Sequence, residues 1–175
     1  MEIMIALDLP EEIDRLVDEK RSVYWPKIID RLEPHITIKE PARVLTDFKI
    51  IEQKLADICV KFNPIKIKVD GLGCFGKRVI FWKILDNPKL EEIGQQVGRE
   101  LKNDLIDKGR HHRLTPHITI LSRAKKKQFT EVMEVLKKEK YHPKYEFTCE
   151  SLMVLENLDN KPGWEKLKTF KLGGN

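Results

Sequence analysis

A chain of 175 residues has enough mass for one sizeable core, or for two small lobes that share one. With 35% charged and 41% hydrophobic residues it reads as a soluble globular protein rather than a disordered one, and no apolar run approaches the ~20 residues of a membrane helix. A formal charge of +5 and a pI near 9.0 lean modestly towards an anionic partner.

The opening, Met1-Glu2-Ile3-Met4, is acidic and passes at once into the apolar run Ile3–Leu7, so it does not resemble a signal peptide. That run reads as a buried strand ended by Asp8-Leu9-Pro10. Pro10 with Glu11 and Glu12 marks a helix start, and Ile13, Leu16 and Val17 follow at helical spacing. Pro26 interrupts this helix before a second short helical piece through Ile28 and Leu32. A strand from Pro34 to Glu40 is expected to stop at Pro41, and Phe48, Ile51, Leu55, Ile58 and Phe62 form the next helical stripe. Ile65, Ile67 and Val69 alternate with polar residues as a half-exposed strand, Gly71–Gly76 reads as a glycine-rich turn, and Val79–Leu85 as another strand.

Asp86-Asn87-Pro88 then places an N-cap before a first-turn proline, with Leu90, Ile93, Val97, Leu101 and Leu105 down one helix face. After the loop 108–113 comes a strand to about Leu121, a helix marked by Phe129, Val132, Met133 and Leu136, and a strand from Tyr145 to Leu155. A turn over 157–163 leads to a last strand, Trp164 to Leu172. Gly94 and Gly98 would let their helix sit close on a sheet. Cys59, Cys74 and Cys149 are odd in number and widely spaced without a CxxC, which fits buried, reduced thiols in a cytoplasmic protein.

Within this plan one pentapeptide occurs twice: Pro34-His35-Ile36-Thr37-Ile38 and Pro116-His117-Ile118-Thr119-Ile120. In a strand, His and Thr share one face and the isoleucines the other. Both halves run strand, helix, motif strand, helix, strand. We therefore expect an internal repeat over about 2–75 and 79–156 within one domain, 1–175. The implied fold class is α+β: two lobes of antiparallel sheet related by an approximate twofold, helices outside, and a central cleft between the motif strands.

Two imidazoles across a cleft suit phosphoryl chemistry, because near pH 6.5 one can accept a proton while the other donates. Two threonine hydroxyls beside them can hold non-bridging phosphate oxygens, and this chemistry needs no metal. The simpler account of a single such motif is a strand histidine in a satisfied polar contact; two equivalent copies tell against it. A metal site using His111, His112 and His117 is the other alternative. Alternation would point His111 and His112 apart, however, and no acidic or cysteine set accompanies them.

The paired His-x-Thr-x motifs resemble those of the two-histidine phosphoesterase superfamily, and within it the 2′-5′ RNA ligase / RNA 2′,3′-cyclic phosphodiesterase family. Gly71-Leu72-Gly73-Cys74-Phe75 leading into Val79-Ile80-Phe81-Trp82 is similar to that family's glycine–phenylalanine element. The resemblance implies hydrolysis of 2′,3′-cyclic phosphate RNA ends, or of cyclic nucleotides, to a 2′-phosphomonoester. It implies catalysis by His35, Thr37, His117 and Thr119, with His35 as the acid and His117 as the base, and no cofactor. Lys39, on the same strand face, would reach phosphate or end in solvent. Phe75 would stack on a base or join the core. Relatives often carry a basic residue just past the second motif; here Ser122 stands at the commonest spacing and Arg123 follows one position later. Tyr24 and Trp25 are stacking candidates or ordinary packing residues, and Lys125-Lys126-Lys127 a solvated helix start or an RNA contact. The expected partner is cyclic-phosphate RNA or a cyclic nucleotide, with no membrane and a monomeric chain. A different cyclic phosphate or 2′-5′ oligonucleotide as substrate, ligation as a second activity, and a catalytically silent nucleotide-binding module are the competing readings.

Overall fold

Five apolar residues in a row, Ile3–Leu7, leave no polar face to the strand that contains them, so it must be covered on both sides. In the computed structural model, which describes residues 1–28, 31–107, 115–157 and 163–174, this strand is β1 (Glu2–Asp8), with Ile3 to Leu7 all buried. It lies at the centre of a five-stranded sheet. Around it the chain forms α1 (Glu11–Tyr24), a 3-10 turn (Pro26–Ile28), β2 (His35–Val44), α2 (Phe48–Cys59) and β3 (Ile65–Phe75). There follow β4 (Val79–Ile84), α3 (Pro88–Glu100), β5 (Leu105–Asp107), β6 (His117–Leu121), α4 (Lys126–Lys138), β7 (Lys144–Cys149), β8 (Ser151–Asn157) and β9 (Trp164–Lys171). One sheet has the order β5-β2-β1-β8-β9 and the other β6-β4-β3-β7, and the described pairings are antiparallel. The fold is α+β and bilobal, with one apolar core running through both sheets and all four helices. No described helix is long and apolar enough to cross a membrane.

The lobes are not consecutive halves of the chain. β3, from the first half, pairs with β4, while β8, from the second half, pairs with β1. The segment Tyr145–Leu155, expected as one strand, is accordingly two, parted at Glu150 and belonging to different sheets. The apolar pattern changes where the chain crosses. Residues 144–149 alternate as a half-exposed strand should, and Leu152–Leu155 are continuously buried as in a central one.

Three other expectations need correction. Pro41 does not end β2: between the pairs Ile3–Ala42 and Ile5–Lys39, Met4 faces both Glu40 and Pro41. That bulge lets a residue without an N–H stay in the strand. Gly71–Phe75 is strand rather than turn, bulged where Asp70 and Gly71 face Lys83, with Gly71 at φ 80; the turn is 76–78. Leu105 belongs to β5, an edge strand beside β2 that its three residues do not announce. Asn87 caps α3 as expected, accepting from the Lys89 amide at 3.1 Å. Of the helix glycines, a Cβ on Gly94 would stand 3.8 Å from the Ile38 carbonyl and one on Gly98 would meet nothing, so neither is required by close packing. Tyr24 and Trp25 pack on the core, and Lys125, Lys126 and Lys127 are exposed at the start of α4. The loop 108–113 with His111 and His112, and most of the 157–163 turn, lie outside the described residues.

Candidate active site

The two pentapeptides sit at corresponding places on β2 and β6. Ile36, Ile38, Ile118 and Ile120 are buried in the core, and His35, Thr37, His117 and Thr119 stand half-buried on the opposite face. His35 and Thr37 lie across from Asp8 and Ala6 of β1; His117 and Thr119 lie across from Lys83 and Phe81 of β4. The two motif strands lie next to each other, with a helix on each: α1 packs on β6, α3 packs on β2, and β2 adjoins β6.

Both imidazoles are held in the same way. Nδ1 of His35 donates to the Glu33 carbonyl at 2.8 Å, and Nδ1 of His117 donates to the Thr115 carbonyl at 2.7 Å. A carbonyl can only accept, so each ring keeps its proton on Nδ1 and leaves Nε2 for chemistry. Their charge surroundings differ. Burial pushes His35 down to about 4, and the nearby charges of Arg21 and His117 add to the effect against the Glu33 hydrogen bond. Burial also lowers His117, but there Glu40 of β2 works the other way. Each ring thus responds to a charge carried by the other motif strand. Among the described residues no three His, Cys, Asp or Glu side chains are grouped to hold a metal ion.

A family model described as the 2′-5′ RNA ligase superfamily matches residues 9–161. The chain belongs to the 2′-5′ RNA ligase superfamily. No curated protein sequence matches it significantly. Among solved structures, the Thermus thermophilus protein TT0787 is similar at 17% identity and TM-score 0.66, covering 99% of each chain. E. coli LigT is similar at 16% identity, with TM-score 0.63 in complex with NADP+ (98% of each chain) and 0.62 in complex with 3′-AMP (98% of this chain, 97% of that one). These likenesses show the shared fold.

In this member of the 2′-5′ RNA ligase superfamily, aromatic rings back the second motif. Phe75, 41% exposed at the end of β3, meets His117 edge-on with centroids 4.9 Å apart, and Phe81 lies 4.9 Å from the same imidazole. The sequence placed Phe75 among the candidates and missed Phe81. It also missed why Gly73 is glycine: a Cβ there would stand 2.3 Å from the Phe81 ring. Gly73→Ala must therefore displace that ring, which packs on His117. We expect a loss of about 1–3 kcal/mol in urea unfolding and a shifted His117 ring-proton resonance, with that of His35 unmoved.

Lys39 follows Thr37 along β2 but is ion-paired with Asp107 of β5. Arg123 is exposed just past β6, in the left-handed region at φ 55. Sequence reasoning also passed over Arg21 of α1, which is 1% exposed. Its Nε donates to the Thr119 carbonyl at 2.9 Å and its Nη1 to the Leu32 carbonyl at 2.9 Å, with Asp18 3.5 Å away. One guanidinium thus bridges the second motif to the segment that leads into the first. Its signal was available: Arg21 continues the buried stripe Ile13, Val17 at i+4 spacing.

Proposed function

We propose that this protein is a metal-independent phosphodiesterase that opens 2′,3′-cyclic phosphates of RNA ends or nucleotides to 2′-phosphomonoesters. The observation that carries this reading is the matched pair of imidazoles, each with Nδ1 tied to a carbonyl and Nε2 without a hydrogen-bond partner among the described residues, on adjoining strands with a threonine beside each. A neutral Nε2 takes a proton from water as its oxygen bonds to phosphorus. The P–O3′ bond breaks, and the cationic imidazole gives its proton to the departing O3′. Thr37 and Thr119 hold the non-bridging oxygens so that attack and departure are in line. Replacing water by a 5′-hydroxyl gives a 2′-5′ linkage through the same transfers, which accommodates ligation. We read the two motif strands as products of the internal repeat over about 2–75 and 79–156.

The surroundings favour His35 as the base and His117 as the acid, the reverse of the roles implied by resemblance. His35 is the ring held further below its ordinary value by burial and by Arg21, while Glu40 favours the proton on His117. The base must be neutral and the acid protonated. Hence kcat/KM should fall as pH drops through about 4, where His35 gains its proton, and fall again as pH rises through the depressed pKa of His117. A pH–rate profile is expected to peak on the acid side of 6.5; a peak near pH 8 would overturn this electrostatic reading. The activity itself is tested by incubating the protein with 2′,3′-cyclic AMP and 3′,5′-cyclic AMP in excess chelator. Turnover of the first alone is expected, and loss of that turnover on chelation would refute metal independence.

A further inference from the structure

The two lobes present different surfaces beside their motifs. In the five-stranded sheet, the face that carries Thr37 is closed off. Met4, Ala6, Met153 and Leu155 form a buried cluster there under Leu32 and Trp164, and Thr37 Oγ1 touches Met4 Sδ at 3.9 Å. In the four-stranded sheet the corresponding face is open. From His117 it continues through Lys83 directly opposite, across the Asp70–Gly71 bulge, to Lys68 and Lys66 of β3 and Lys144 of β7. Strand alternation places these side chains on the His117 face, because their neighbours Ile65, Ile67, Val69, Trp82, Ile84 and Ile118 fill the core.

The open face carries four lysines, Lys66, Lys68, Lys83 and Lys144, against two carboxylates, Asp70 and Glu146. Glu146 serves two lysines at once, with Lys66 at 2.5 Å and Lys68 at 3.4 Å. Asp70 is shared between His142 at 2.6 Å and Lys144 at 3.9 Å. With Lys66 64% and Lys68 60% exposed, such surface pairs are weak and readily exchanged for phosphate. Between the bulge and Lys66 the face extends about 13 Å along β3, beyond the reach of one nucleotide seated at the histidines. Further on, a cleft of about 350 Å³ shares Lys66 and adds Lys61 and Lys89, with Glu92.

We propose that this lysine face of the four-stranded sheet is the track for a single-stranded RNA whose 3′ end lies between His35 and His117. It deepens the functional reading above and rests on it for the placement of that end. A strand held there is gripped through its phosphates without regard to sequence, with Phe75 as the stacking surface nearest the chemistry. The preferred substrate is then an oligonucleotide, with a free cyclic nucleotide turned over at higher KM.

The test compares 2′,3′-cyclic AMP with a ten-nucleotide RNA ending in a 2′,3′-cyclic phosphate. For the unmodified protein we expect KM for the oligonucleotide to be at least 10-fold lower at low salt. The Lys66→Gln/Lys68→Gln double variant should lose most of that advantage, with kinetics on the mononucleotide unchanged. The slope of log kcat/KM against log salt should shrink by about 1.4, the loss expected for two phosphate contacts on a single strand. Glu146→Gln, which frees both lysines from their carboxylate, should lower KM for the oligonucleotide, an outcome that misfolding cannot imitate. Equal KM for both substrates, or an oligonucleotide advantage that survives the double variant, would overturn the track. If neither substrate turns over, the functional reading fails by itself. The track is then judged by fluorescence anisotropy with a labelled ten-nucleotide RNA ending in a 3′-phosphate. Weaker binding by the double variant supports it and equal binding refutes it.

Discussion

His35→Ala and His117→Ala, made separately, should each lower turnover of a 2′,3′-cyclic nucleotide by about 10²–10⁴-fold, the range over which a positioned acid or base contributes. Neither change should unfold the protein. Both rings are half-buried on the face opposite the isoleucines, and each is held by one hydrogen bond to a carbonyl two residues earlier. The double variant should be little worse than either single one, because an acid without its base completes no transfer. Steady-state rates on matched preparations, with circular dichroism to verify folding, decide the matter. A single variant that retained full activity would remove its histidine from the mechanism.

The second large effect belongs to Arg21. Replacing it by methionine leaves the part-buried Thr119 and Leu32 carbonyls without their donor and Asp18, itself one-third exposed, without its nearby cation. Breaking a buried charged network in this way costs about 3–5 kcal/mol, read as a lowered urea midpoint. Arg21→Lys retains the charge but cannot span two carbonyls, so it should lose less stability and yet still lower kcat. A misplacement of about 1 Å between reacting groups is worth roughly 10²-fold. The two variants separate charge from geometry. Because the Arg21 cation helps to keep His35 neutral, its removal should move the low-pH limb upward, whereas lysine should leave that limb in place. A methionine variant as stable and active as the parent protein would mean that the bridge holds nothing.

How far the site was legible follows from these residues. His35, Thr37, His117 and Thr119 stand out because a period of two in the sequence is a period of two in space, and the motif is written twice. Strand pairing has no such local signature. Nothing in Ile65–Val69 says that it joins β4, nor in Leu152–Leu155 that it returns to β1, and that exchange is what unites the two halves in each sheet. Gly73 looked like part of a turn because glycine marks turns more often than it marks a backbone crossed by an aromatic ring. Arg21 was hidden by reading the apolar residues of α1 and ignoring the charged one in the same stripe. Lys66 and Lys68 looked like the solvated side of an amphipathic strand, which they are. Only the register that places Lys83 beside His117 makes them part of a surface leading from the site.

The central claim is that this pair of imidazoles directs water to the phosphorus of a 2′,3′-cyclic phosphate and expels O3′. The most direct measurement is a phosphorus NMR spectrum of 2′,3′-cyclic AMP after incubation with chelator-treated protein. We predict one new resonance, that of the 2′-phosphomonoester, appearing with the unmodified chain and not with His117→Ala. Formation of the 3′-phosphomonoester, or an unchanged spectrum, would contradict the claim.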